Sequence, residues 1–278
     1  MSAPRVVVVT ATYRRPAGVR TLLESLQGEG VAGVVVVDNG GDFSVEAAAV
    51  PGGMGVTGAT SMEVRVVRPG VNLGCGGGVA RGLQEAFADP MVTHAWIFDD
   101  DAMAGRGALR ELLAGMAGAG AVADVAVPLV TDREGRVGWF PGPLAQPAWD
   151  TIRRRPSDDY WFQGEDLEWT LRLSAQVRGV LVPTAECRHY PPGSAQPERA
   201  RLKQAAMLQN NLFTATRLPH GRRALRHAPG NLWRFLRSEG WSGRAMMLAA
   251  RAHWRGAVRG LPAGAKGGDG FRREWEGL

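Results

Sequence analysis

Two blocks of four consecutive valines, Val6–Val9 and Val34–Val37, together with the apolar run His94-Ala95-Trp96-Ile97-Phe98, constrain this chain more than any other feature. A strand with one face in water alternates apolar and polar residues. A run without alternation reads as a strand buried on both faces, the kind found in parallel sheets covered by helices. The segments between these runs carry helical spacing. Pro16 suits a first helical position, Val19, Leu22, Leu23 and Leu26 recur on one face, and Gly28 and Gly30 end the pattern. Val64, Val66 and Val67 mark a third strand, and Val79, Leu83, Ala86 and Phe87 a second helix. A third helix follows the His94–Phe98 strand, around Leu109 to Met116. This alternation predicts an α/β fold built on a doubly wound, mostly parallel sheet. Such sheets bind ligands outside the carboxyl ends of their strands.

Polar clusters stand at three of those ends: Thr10 to Arg15, Asp38-Asn39, and Asp99-Asp100-Asp101. The acid triplet is the costly one, since two unit charges 4 Å apart repel by about 4 kcal/mol at an effective dielectric near 20. A divalent cation would reverse the sign. Mg²⁺ and Mn²⁺ prefer oxygen ligands and often complete their shells with phosphate oxygens. The plainer reading is a solvated turn capping the next helix. The coincidence of all three clusters at strand ends favours a metal–diphosphate site.

Past Val130 the pattern loosens. Trp139-Phe140-Pro141-Gly142-Pro143 is turn-rich, Leu167–Leu173 reads as helix, Val180–Val182 as a short strand and Glu198–Leu218 as a long helix. From Ala224 the chain alternates arginine with Trp, Leu and Met and reads as helical to about Arg259. The expected organisation is a catalytic domain over residues 1–218 and a basic helical extension over 219–278.

With 278 residues, 45% of them hydrophobic, the chain can bury a substantial core. The formal net charge is +6, and Lys203 and Lys266 are the only lysines. A basic surface suits phosphates, nucleic acid or anionic lipid. Cys75 and Cys187 lack the spacing of a disulfide framework or zinc site. No apolar stretch reaches the roughly 20 residues of a membrane span, and Met1–Arg5 runs into a strand without a secretory pattern. The expected compartment is the cytoplasm, with the inner membrane face as a place of peripheral contact.

Three further constellations carry chemistry. Asn72-Leu73-Gly74-Cys75-Gly76-Gly77-Gly78 is a glycine-rich turn before a helix. It can let a ligand approach the backbone or simply allow tight helix–sheet packing, and it matches no Walker or dinucleotide motif. Gly164-Glu165-Asp166-Leu167-Glu168-Trp169 sets three acids at a helix start. There they complement the helix dipole, or one of them faces a cleft as a general base. His189, after the short strand, is either structural or a ligand for a manganese-type ion.

The order Thr-x-x-Tyr-Arg (Thr10, Tyr13, Arg14), strand-Asp38-Asn39, Asn72-Leu73-Gly74-x-Gly-Gly-Gly, Phe98-Asp99-Asp100-Asp101, Gly164-Glu165-Asp166-Leu167-Glu168-Trp169, then His189 resembles the inverting glycosyltransferases of family 2, which have a GT-A fold. It is most similar to the bacterial galactofuranosyltransferases. The related rhamnosyltransferases share the Asn-x-Gly turn and the later acidic motif. The resemblance covers roughly Val6 to Leu218. It implies that Thr10, Tyr13, Arg14 and Asp38 hold the nucleotide. Asn72, Gly74 and Gly77 would shape the nucleotide-sugar pocket, and Asp100 would lie near the sugar. It implies Asp99, Asp101 and His189 as ligands of Mn²⁺ or Mg²⁺, Asp166 as catalytic base with Glu165 beside it, and Trp139 and Phe140 stacking on an acceptor sugar. The donor it implies is a UDP-linked furanose or deoxysugar, and the acceptor a hydroxyl on a small molecule, glycan or lipid-linked sugar. The chain departs from the pattern in reading Gly164-Glu165-Asp166 where Trp-Asp-Asp is frequent. It also has Gln209-Asn210-Asn211 where an Arg-Asn pair is frequent, and no room for the extra N-terminal β-domain of the galactofuranosyltransferases.

Two other classes compete. A sugar-phosphate nucleotidyltransferase shares the sheet and a metal–acid site, but its early glycine-rich loop is replaced here by Thr10-Ala11-Thr12-Tyr13-Arg14-Arg15. A basic nucleic-acid or membrane-binding protein could use the Arg/Trp tail to stack bases or rest on anionic lipid. Packing of the tail's Trp and Leu face on the catalytic domain, with the arginines in water, is the simpler expectation.

Overall fold

A computed structural model describes residues 3–44, 62–119, 123–132, 134–135, 137–138, 143–145, 177–189, 206–208, 210, 212, 214–215, 228–238 and 240–258. The chain divides into two compact units: Met1–Val71, Gly78–Arg154 and Gln176–Pro192 form the first, and Asn72–Gly77, Arg155–Ala175 and Gly193–Leu278 the second.

The first unit is built on a sheet that begins as the sequence predicts. Strands β1 (Val6–Thr12), β2 (Gly33–Asp38), β3 (Glu63–Val67) and β4 (His94–Asp99) lie in the order β3-β2-β1-β4, all parallel. The valine runs are buried on both faces because helices cover both. On one face Val6, Val8, Val34, Val36, Trp96 and Phe98 pack with Val19, Leu22 and Leu23 of α1 (Pro16–Ser25) and Leu112 of α3 (Ala108–Gly118). Fully burying each such side chain is worth about 1.5–3 kcal/mol. On the other face α2 (Gly74–Ala86) approaches so closely that a Cβ on Gly82 would fall 2.4 Å from Val9, and one on Gly78 2.7 Å from Ala11. At Gly78 and Gly82, therefore, glycine serves helix–sheet packing. The expected glycine turn is largely the first turns of this helix.

Beyond β4 the sheet turns mixed. Strand β5 (Ala102–Ala104) follows the acid triplet directly. β6 (Val125–Thr131) pairs with β7 (Val137–Gly138) and β8 (Pro143–Ala145), both antiparallel, and with β9 (Gly179–His189), parallel. β8 joins antiparallel to β4, and β5 antiparallel to β9. The short strand expected at Val180–Val182 is thus the start of an eleven-residue strand. Glu29 ties this half together by accepting hydrogen bonds from Gly107 N (2.6 Å) and Leu109 N (3.0 Å) at the start of α3. Neither cysteine is in a disulfide, and burial pushes the Cys187 thiol up to about 12, so it stays protonated near neutral pH.

In the second unit, helical residues 206–208 and two helices, α4 (Ala228–Ser238) and α5 (Gly243–Val258), share a small core of Leu208, Phe235, Leu236, Ala245, Leu248, Ala249 and Ala252. The described residues of the tail are helical as expected, with a break at 240–242. Among the described residues its tryptophans stay outside this core: Trp233, Trp241 and Trp254 are exposed, with the Arg237 guanidinium 5.0 Å from the Trp233 ring, while Leu, Phe and Ala supply the core. Helical spacing fixes this, because 245, 248, 249 and 252 share one face of α5 and 254 falls on the other. No helix among the described residues is long and apolar enough to cross a membrane.

Candidate functional site

The acid triplet sits where the parallel ladder of β1 and β4 ends. That ladder pairs Val6 with His94 and continues to Ala11 with Asp99. Cross-strand partners share a face and successive residues alternate. Asp99 therefore lies on the α2 face with Ala11. Asp100, one step further, lies on the α1 face beside Thr12. The observed bond follows the register: Thr12 Oγ1 donates to Asp100 Oδ2 at 2.7 Å. The pleat thus sends adjacent like charges to opposite sides.

Arg15 binds the turn from below. Its Nη1 donates to Asp100 Oδ1 and its Nη2 to Asp101 Oδ2, both at 2.6 Å. Local geometry aims it there. The chain reverses through Arg14, held at φ 55°, and Arg15 is the residue before Pro16 opens α1. A bulky residue in the left-handed region costs about 1–3 kcal/mol and persists only where its surroundings impose it. Gly18, in the first turns of α1, makes the approach possible: a Cβ there would lie 2.2 Å from the Asp100 carbonyl oxygen.

The histidine arrives from 88 residues further along the chain than Asp101. Strand β5 pairs Ala102 with His189, so the last residue of β9 is set beside the turn. His189 Nε2 donates to Asp101 Oδ1 at 3.1 Å and lies 3.8 Å from Asp99 Oδ2. Ligand atoms of Asp99, Asp101 and His189 all fall within 4.8 Å of one another, and all three residues are half-buried. Burial opposes ionisation of Asp101, but the His189 hydrogen bond and the Arg15 charge outweigh it and hold its carboxyl below the usual range. Burial likewise opposes the Arg15 charge, and Asp100 and Asp101 more than restore it, raising its pKa.

This donor set fits a divalent cation. Two carboxylates and an imidazole suit Mn²⁺-type ions. Of the three negative charges in the turn, Arg15 offsets one and leaves two. The cluster of Asp99, Asp101 and His189 can therefore hold a metal ion.

The other expected residues distribute as follows. Thr10 is completely buried within β1, its hydroxyl without a partner among the described residues, so it is not at the strand end; Thr12 is. Tyr13 is half-buried with the exposed Arg14 guanidinium 5.2 Å from its ring. Asp38 is buried, and its carboxylate holds the next loop, accepting from Gly40 N (3.1 Å), Gly41 N (2.8 Å) and Phe43 N (2.9 Å). Asp100, expected near a sugar, is buried and engaged by Thr12 and Arg15. Asn72 and Gly74–Gly77 belong to the second unit, where Asn72 Oδ1 accepts from Gly74 N at 2.9 Å. Trp139, Phe140, Glu165 and Asp166 lie outside the described residues.

No family model matches the chain, and no curated protein sequence does. Solved structures do. The chain is similar to the crystal structure of S. aureus TarS residues 1–349, with a TM-score of 0.59 and 15% identity over 91% of this chain and 81% of that one. It is also similar to a crystal structure of S. aureus TarS of which it spans 48%, with 89% of this chain covered, a TM-score of 0.60 and 15% identity. The likeness establishes the fold: mixed α/β with a parallel central sheet, of the GT-A type.

Proposed function

We propose that this chain is a metal-dependent, inverting glycosyltransferase of family 2. It moves a furanose or deoxysugar from a UDP-linked donor to an acceptor hydroxyl. The observation that carries the reading is the gathering of Asp99, Asp101 and His189 within 4.8 Å, at the carboxyl end of a parallel strand in a GT-A-type fold. The motif order quoted above supports the family.

In this reading Asp99, Asp101 and His189 hold Mn²⁺ or Mg²⁺. The bound cation supplies Lewis-acid compensation for the charge that develops on a diphosphate leaving group. Thr12 and Arg15 keep Asp100 and one oxygen of Asp101 engaged, so the other oxygen of Asp101 and the Asp99 carboxylate face the ligand. Tyr13 and the exposed Arg14 take the nucleoside, with Asp38 shaping the adjoining loop. Asn72, Gly74 and Gly77 shape the donor pocket, and Trp139, Phe140 and Glu165 meet the acceptor. Asp166 accepts the acceptor hydroxyl's proton as that oxygen attacks the anomeric carbon from the face opposite the leaving group. One displacement inverts the centre and needs no covalent intermediate.

Titration calorimetry with UDP, TDP and GDP, each with and without Mn²⁺, tests the reading. Tight UDP binding that requires Mn²⁺ is expected. Weak, equal, metal-indifferent binding of all three would overturn it. Asp166→Asn should lower transfer by roughly 10²–10⁴-fold while leaving UDP affinity nearly unchanged.

A further inference from the structure

The helices α4 and α5 carry an outer face that the nucleotide chemistry does not use. Eight large apolar side chains are exposed among the described residues, and five of them lie here: Trp233, Trp241, Met246, Met247 and Trp254. They are not a frayed core, because the inner face of the same helices is packed. Met247 and Trp254 are 59% and 69% exposed, one turn either side of the exposed Arg251, with the exposed Arg244 a turn before Met247. Residues 228–258 contain five arginines and one acid, Glu239. A helix face that only meets water interleaves both charge signs. This one interleaves a single sign with large apolar groups.

The corner between the helices adds an independent sign. Gly240 and Trp241 are consecutive left-handed residues, at φ 70° and 56°, and Trp241 N donates to Leu236 O at 2.9 Å. Glycine or asparagine would take the second position at less cost. The chain instead presents an indole there, 55% exposed and outside the core that the two helices share.

We propose that this face docks the protein peripherally on an anionic lipid bilayer. Tryptophan and methionine enter the boundary between headgroups and acyl chains, and Arg234, Arg237, Arg244 and Arg251 meet lipid phosphates. Charge complementarity selects this occupant. A second copy of the same face would bring two sets of arginines into one interface with a single acid per chain over residues 228–258 to offset them. A nucleic acid would use the arginines and indoles but would gain little from the adjacent Met246 and Met247, which have no π-face to stack. A bilayer uses all three residue types.

The test is co-sedimentation of the full chain with vesicles of phosphatidylcholine alone and with about 30% phosphatidylglycerol, at low and high salt. The anionic vesicles should retain the protein, less so as salt rises. Met247→Ser/Trp254→Ser and Arg244→Ser/Arg251→Ser should each weaken retention at least roughly tenfold, with unchanged circular dichroism. Brominated acyl chains should quench tryptophan fluorescence of the unaltered protein, which keeps the test decisive if a variant misfolds. Absence of wild-type retention would overturn the proposal, as would full retention of a folded Met247→Ser/Trp254→Ser variant or an absence of quenching. So would loss, in that variant, of RNA binding or self-association rather than vesicle binding.

Discussion

Arg15→Met removes the one cation among the described residues that bridges Asp100 and Asp101. Asp100 is buried, and Asp101 is 14% exposed at its side chain, so little water can replace the guanidinium. Breaking a buried pair by deleting one partner costs about 3–5 kcal/mol. Arg15 itself is one-quarter exposed, which argues for the lower end, about 3 kcal/mol, after allowing for solvent screening. For a chain of this size that is a fall in Tm of roughly 6–12 °C. Urea denaturation of the wild type, Arg15→Met, Asp100→Asn and the double variant forms a cycle. The coupling between the two sites should be between about 0.5 and 3 kcal/mol. A loss below about 1 kcal/mol, the range of an exposed pair, or strict additivity would refute the argument that this arginine is what makes the acidic turn tolerable.

Two other outcomes follow from single contacts. Gly18→Ala would ordinarily gain helix propensity, but its Cβ would meet the Asp100 carbonyl at 2.2 Å. It should destabilise by about 1–3 kcal/mol and weaken Mn²⁺ binding in calorimetry, and a stabilised variant would show that α1 does not press on the turn. His94 is held below its usual pKa of about 6.5 by burial. The unfolded chain therefore takes up that proton first, and stability falls as pH drops through about 6.5 until the folded-state value is passed. His94→Gln should flatten this part of the pH profile between about pH 7.5 and pH 5 in paired denaturation curves, and equal slopes in both proteins would refute it.

The central sheet was legible because valine runs buried on both faces admit few alternatives, and because each run ends in polar residues. The site was legible in part. The triplet and His189 announce their chemistry by residue type, but Thr12 and Arg15 do not, since a threonine and an arginine near a strand end are unremarkable in a single sequence. What assigns them is register. The offset of 88 residues that pairs Val6 with His94 also pairs Ala11 with Asp99 and sets Thr12 against Asp100. Thr10, two positions earlier, shares the face of Thr12 but is buried within the sheet. β9 carried a signal of the same kind: Ala185 and Cys187 are buried, Glu186 and Arg188 exposed. That alternation turns His189 to the same side as Ala185 and Cys187, toward the acids.

The same pleat answers the electrostatic problem that the three aspartates pose. Asp99 and Asp100 sit on opposite sides of the strand end, and Asp100 is matched by Thr12 and Arg15. The repulsion left to be relieved is therefore between Asp99 and Asp101. Those are the two carboxylates that His189 joins. A buried, fully matched Asp100 between two carboxylates that share an imidazole is what a metal site needs from a third acid: it anchors the turn without competing for the ion. Asp100→Asn and Asp101→Asn should accordingly separate in calorimetry. The first should lower stability with a modest loss of Mn²⁺ affinity, and the second should abolish Mn²⁺ binding. Equal losses of affinity would mean that the middle acid is a ligand after all.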